Sequence, residues 1–215
     1  MREKTFTPVA GLVVIASLTF GVVMAAALLG VFDGVAKAGD LPAAAQQMSV
    51  FKAAPVQDNV LPKAITQARD RLVTKGGLGS VMPNETRLLG TNLGRNRVAT
   101  YAFPATGGAV CEVVAERTSV AMCVPSGLEG FDGLEGGVAW GIYSGEGVPQ
   151  TVYGLASDAV GGVNVVVDGL PYEATLARNN FFWQAEAGVT RESIQALVVR
   201  QVDGGDVRVN LDFSR

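Results

Sequence analysis

Residues 162–169 read Gly-Val-Asn-Val-Val-Val-Asp-Gly. Val163, Val165 and Val167 alternate with Asn164, Val166 and Asp168, the two-residue period of a strand with one buried face. Asp168-Gly169 then forms a hairpin turn, because Gly accepts positive φ at no steric cost. The same pattern repeats on both sides. Strand-like runs are expected at 97–103, 109–115, 119–124, 137–143, 150–155, 172–177, 180–185, 194–201 and 207–213, separated by turn residues. In the last run Val207, Val209 and Leu211 alternate with Arg208, Asn210 and Asp212. Asp203-Gly204-Gly205 is a second turn signal. Short connections between successive strands imply antiparallel pairing. The expected fold class is mainly β, with an antiparallel, sandwich-like domain over residues 76–215.

Two segments precede it. Residues 5–32 carry no charge, and residues 9–32 are strongly apolar. A bilayer core needs about 20 apolar helical residues, and backbone inside hydrocarbon must satisfy its own hydrogen bonds. A transmembrane helix over 9–32 is therefore expected, after a cytoplasmic tail of residues 1–8. The rival is a cleaved secretory signal with a small-residue site at Ala36-Lys37-Ala38. The apolar run is longer than the roughly 7–15 residues of a signal core, which favours the uncleaved anchor. Arg2 and Lys4 on the leading side place the N-terminus in the cytoplasm and the rest outside it, at the cell membrane. Ser17, Gly21 and Ala25 are spaced four apart, a small-residue face that permits helix pairing and homodimerisation. In an Ala- and Gly-rich span such spacing also arises by chance.

Residues 33–75 shift to Ala, Gln and Pro with scattered charge, and are expected to form a stalk with short helices. Residues 43–52 suit one helix, and Pro62 suits the first turn of another that runs to about residue 74. Ile65, Ala68, Leu72 and Val73 fall on one stripe of that helix, opposite Lys63, Arg69, Asp70 and Arg71. The stripe is expected to dock on the following domain.

The composition excludes several chemistries. There is no histidine, so Ser-His and Cys-His nucleophiles and His-based zinc sites are ruled out. The lysines are Lys4, Lys37, Lys52, Lys63 and Lys75, none of them in the β domain. A net charge of −3 gives no general attraction to nucleic acid. Cys111 and Cys123 lie on successive strands around a turn near Glu116-Arg117-Thr118, and both can share one face of the hairpin. Outside the cytoplasm such a pair is most simply a disulfide, contributing roughly 2–3 kcal/mol on the chain-entropy argument.

Acid–base work in the domain falls to carboxylates. The loop from Ser126 to Gly137 sets Glu129, Asp132 and Glu135 three apart among glycines. That spacing suits oxygen ligation of Ca²⁺, although the EF-hand pattern is missing. A solvated loop is the plainer reading, and no cofactor or metal is implied. Glu112, Glu116 and Glu146 are equally eligible acids. Arg87, Arg95 and Arg97 form a basic cluster that suits an anionic envelope polymer or a solvated strand edge. Residues 143–147 and 74–80 have glycines around Ser or Lys, but match neither a nucleophile elbow nor a P-loop. Phe181, Phe182 and Trp183 put aromatics on both faces of one strand, so one face is core and the other is covered or contacts a partner.

Several dispersed motifs carry a resemblance. They are Phe51-Lys-Ala-Ala-Pro55, Asp58-x-x-Leu61-Pro62, Arg87-Leu-Leu-Gly90, Tyr101-Ala-Phe-Pro104 and Gly108-x-Val-Cys111 with a second Cys. Val152-Tyr-Gly-Leu155, Asp158-x-Val160 and Asn179-x-Phe181-Phe182 complete the set. Over residues 50–190 the chain resembles an uncharacterised family of single-span bacterial envelope proteins with an extracytoplasmic β domain. Residues 151–215 also resemble bacterial immunoglobulin-like domains. Neither resemblance implies an activity, since such folds serve adhesion, packing and spacing alike. The leading expectation is a membrane-anchored envelope interaction or scaffolding protein, whose partner is an envelope protein or polymer. The alternatives are a carboxylate-dependent hydrolase of envelope glycans and a membrane sensor.

Overall fold

The computed structural model describes residues 41–211, apart from 83, 96, 116–118, 125, 127–129 and 146–147. The expected span at 9–32, the face of Ser17, Gly21 and Ala25, and the loop residue Glu129 lie outside the described residues. Among the described residues no helix is long and apolar enough to cross a membrane.

The protein is mainly β, with antiparallel sheets throughout. Two helices come first, α1 (Ala43–Gln46) and α2 (Lys63–Gly76), with one-turn 3-10 segments at Ser49–Lys52 and Asp58–Val60. The first sheet has the order β1 (Arg87–Leu93), β2 (Val98–Pro104), β3 (Val110–Ala115), β4 (Ser119–Val124). The chain then passes through 3-10 turns at Gly130–Gly133 and Glu135–Gly137 into eight further strands. These are β5 (Val138–Gly145), β6 (Val148–Ala156), β7 (Val160–Val167), β8 (Leu170–Glu173), β9 (Thr175–Ala177), β10 (Asn180–Gln184), β11 (Ile194–Gln201) and β12 (Asp206–Asn210). They form a second sheet, β5-β6-β10-β9, and a third, β12-β11-β7-β8.

Side-chain alternation stacks these elements in layers. The outer face of the first sheet buries Tyr101, Phe103, Cys111, Val113, Ala121 and Cys123 against Ile65, Leu72 and Val73 of α2. Its inner face sets Val98, Ala102, Val110, Val114, Val120 and Met122 against Ala139, Tyr153, Leu155 and Phe182 of the second sheet. The opposite face of the second sheet, with Trp140, Ile142, Val152 and Phe181, packs on Val163, Val165, Val167, Leu197 and Val199 of the third. The second sheet is therefore covered on both sides. This resolves the aromatic run: Phe181 enters one core and Phe182 the other, while Trp183 packs at the margin of the first of these.

Several expected elements differ from those found. The run at 172–177 is two strands, because the chain leaves the third sheet after Glu173 and joins the second at Thr175. β1 is a strand where the sequence shows no strand period. Its register with β2 shifts on both sides of Gly90, which breaks the two-residue period. Pro62 stands at the N-cap of α2 rather than inside its first turn. Arg69, assigned to the polar face of that helix, is 5 % exposed. Its guanidinium donates to Asp58 Oδ1 at 2.9 Å and to Thr86 Oγ1 at 3.3 Å, joining α2 to the start of β1.

Candidate functional site

The cysteines form the disulfide Cys111–Cys123. They face each other in register on β3 and β4, and both are buried in the core beneath α2. The helix therefore shields the bond from solvent thiols.

Of the acidic loop, Asp132 and Glu135 fall among the described residues. Asp132 and Glu135 are both exposed, and no group of three or more Asp, Glu, Cys or His is placed to hold a metal among the described residues. The three arginines do not act together either. Arg95 and Arg97 are exposed around the β1–β2 turn, but Arg87 is 5 % exposed at the far end of β1. Its guanidinium donates to Glu85 Oε2 at 2.8 Å and to the Phe51 carbonyl at 3.2 Å, and lies 5.5 Å from the centre of the Phe51 ring. Arg87 is thus turned inward and tied up within the fold, apart from the exposed Arg95 and Arg97. Arg95 borders a shallow open groove with Val148, Pro149, Glu186 and Val189.

Two polar constellations that the sequence did not single out are built more firmly. The first holds the N-terminal segment on the β body. Arg178 and Asn179 both take positive φ between the paired residues Ala177 and Asn180, the backbone of a type I′ hairpin turn. From that position Asn179 Oδ1 accepts from the Val50 N–H at 3.0 Å and the Ser49 hydroxyl at 3.2 Å. Its Nδ2 donates to the Ala156 carbonyl at 3.0 Å and to Asp158 Oδ1 at 2.8 Å. Asp158 Oδ1 also accepts from the Ser49 N–H at 2.8 Å. Partial burial opposes ionisation of Asp158, but the hydrogen bonds from Asn179 and Ser49 and the Lys52 charge outweigh it and hold its carboxyl below the ordinary range. Gln47 completes the clasp, its carbonyl accepting from the Asp158 N–H and its side chain from the Phe131 N–H.

The second lies between the first two sheets. Glu112 sits at the middle of β3, opposite Ala102 and Met122, with no exposed surface. Its Oε1 accepts from Asn180 Nδ2 at 2.6 Å. Asn180 Nδ2 also reaches the Gly154 carbonyl at 3.0 Å, and Asn180 Oδ1 accepts from the Thr100 hydroxyl at 3.2 Å. Glu112 Oε2 and the Tyr153 hydroxyl are buried without a hydrogen-bond partner among the described residues. Burial pushes the Glu112 carboxyl well above its ordinary range, against the opposing bond from Asn180. The Tyr153 hydroxyl is pushed up by burial, then by Glu112 and Tyr143.

Sequence placed Glu112 among three equivalent acids and gave no reason to prefer it. Asn179 enters only as part of a motif, and Asn180 only as the first residue of an expected strand. The one local signal for Asn179 is that Arg-Asn can occupy a two-residue turn. Comparisons with protein-family models, with curated proteins and with solved structures find no match for this chain.

Proposed function

We propose that this chain is a membrane-anchored, extracytoplasmic interaction or scaffolding protein of the cell envelope, with an immunoglobulin-like sandwich as its C-terminal unit. The strand orders β5-β6-β10-β9 and β12-β11-β7-β8 support the sandwich reading. They correspond to A-B-E-D and G-F-C-C′ of the immunoglobulin arrangement. On that reading the unit starts at Val138 rather than at Thr151. The buried disulfide suits an oxidising compartment, and residues 9–32 supply the anchor.

One observation favours binding over glycan hydrolysis. A glycosidase needs two carboxyls flanking a cleft, one of them kept protonated. Among the described residues Glu112 is the carboxyl whose pKa is raised, and it is sealed between two sheets. The exposed apolar side chains Leu170 and Tyr172 on the edge strand β8 suit a contact surface instead.

The test is a photo-crosslinking amino acid placed at Tyr172, or at the control position Gln195, in the full chain expressed in a bacterial envelope. A discrete adduct from position 172 and none from 195 is expected, with a C-terminal tag open to protease in spheroplasts. A protected tag, or cleavage of purified envelope glycan by the full chain, refutes the proposal.

A further inference from the structure

The interface between the first two sheets is largely apolar, with polar side chains around Glu112 and, near the β1–β2 turn, at Gln184 and Thr151. From β2, β3 and β4 it receives Val98, Ala102, Val110, Val114, Val120 and Met122. Into this layer three side chains thread a hydrogen-bonded path that crosses the interface twice. It runs from Glu112 on β3 to Asn180 on β10, and back to Thr100 on β2. Each crossing joins a buried strand of one sheet to a buried strand of the other.

The path carries a requirement about protons. Glu112 Oε1 has its donor, while among the described residues Oε2 has none, and the nearby Tyr153 hydroxyl is also unpartnered there. An ionised carboxylate here would hold a full charge on one hydrogen bond in an apolar layer, which is costly. A neutral carboxylic acid keeps Oε1 as the acceptor for Asn180 and removes the charge that acts on the Tyr153 hydroxyl. Among the described residues, the other titratable group facing this point is Tyr143 on β5, whose ring meets that of Tyr153 edge-on at 5.5 Å. Asn180 and Thr100 from β10 and β2 are neutral, and β4 contributes apolar side chains. The buried cations among the described residues, Arg69 and Arg87, are engaged with Asp58 and Glu85 at the margin of the first sheet.

We propose that Glu112, Asn180, Thr100 and Tyr153 form a proton-operated latch that holds the first sheet and its helix on the second sheet. With its proton, Glu112 locks the layers together. Without it, a bare charge lies in the interface and the layers separate more readily. The latch stands independently of the binding role proposed above. Its use as a sensor rests on the extracytoplasmic placement, because pH outside the cytoplasm follows the surroundings.

The direction follows from linkage. Unfolded Glu releases its proton near pH 4.3, while the folded chain retains it. Between those two pKa values the equilibrium constant for opening rises by up to tenfold per pH unit. The stability contributed by Glu112 is therefore fully present in acid and is lost as pH rises through its folded pKa, opposite in sign to that of Asp158. The test uses the full chain in detergent, wild type against Glu112→Gln, with denaturant unfolding from pH 5 to 9 and infrared difference spectra at neutral pH. The expected wild type shows a protonated side-chain carboxyl band and the tenfold-per-unit dependence, and Glu112→Gln lacks both. An unchanged pH dependence in Glu112→Gln overturns the latch. If that variant fails to fold, the wild-type spectrum decides alone, and absence of the protonated carboxyl band at neutral pH refutes it.

Discussion

Replacing Asn179 with alanine removes the centre of the clasp, and its cost can be worked from the contacts. The Val50 N–H loses its acceptor and the Ala156 carbonyl loses a donor. Val50 is 5 % exposed and Asn179 8 %, so water does not readily replace either bond. A buried polar group left unpaired costs about 1–3 kcal/mol. The backbone adds a second penalty, since φ at Asn179 is 63° and a β-carbon in the left-handed region costs about 1–2 kcal/mol, less for Asn. Together Asn179→Ala is expected to destabilise the full chain by about 3–5 kcal/mol. Asn179→Gly loses the same bonds without the strain, so it should be about 1 kcal/mol milder. Denaturant unfolding in detergent measures both totals, and hydrogen exchange followed by mass spectrometry localises the loss to residues 43–53. A total change under about 0.5 kcal/mol for Asn179→Ala, the range of an ordinary surface substitution, would refute the assignment of the clasp. Equal losses for the two variants would refute its backbone part.

Two further outcomes follow from buried geometry. A β-carbon at Gly154 would run into the Ala139 carbonyl oxygen and the Phe181 ring; Gly154→Ala is expected to cost at least about 1–3 kcal/mol, and a thermal midpoint equal to wild type would contradict the packing of β6. Because α2 covers the disulfide, reductant and maleimide should label Cys111 and Cys123 only as denaturant frees the helix, and changing both to Ala should cost about 3 kcal/mol on the chain-entropy argument. Rapid labelling without denaturant would show that the helix does not seal the bond.

Local patterns made part of this structure readable. Val163, Val165 and Val167 alternate because one face of β7 is buried, and Asp168-Gly169 takes the positive φ values that a two-residue turn requires. The cysteine pairing was legible because both residues fall on one face of adjacent strands separated by a turn. β1 escaped because bulges beside Gly90 and a positive φ at Asn92 erase its period. The junction at Ala174 escaped because a strand that changes sheets shows no break in composition. Arg69 was misassigned because helical spacing says which face a residue occupies, but not that Asp58 and Thr86 close over its edge. The polar constellations were hidden for a related reason. Glu112 and Asn180 lie 68 positions apart, and nothing local to either residue specifies what packs across from it.

The second sheet serves as a party wall between two cores, and this decides how the protein can be divided. Cutting the chain before Val138 to isolate the last eight strands would lay bare Tyr143, Tyr153, Leu155 and Phe182. The preceding segment alone would be left with Leu89, Val110 and Met122 uncovered. Neither piece can become watertight by itself. As the chain emerges, its early strands cannot close their inner face until β5, β6 and β10 have all been delivered, and until then that face stays open to a quality-control protease.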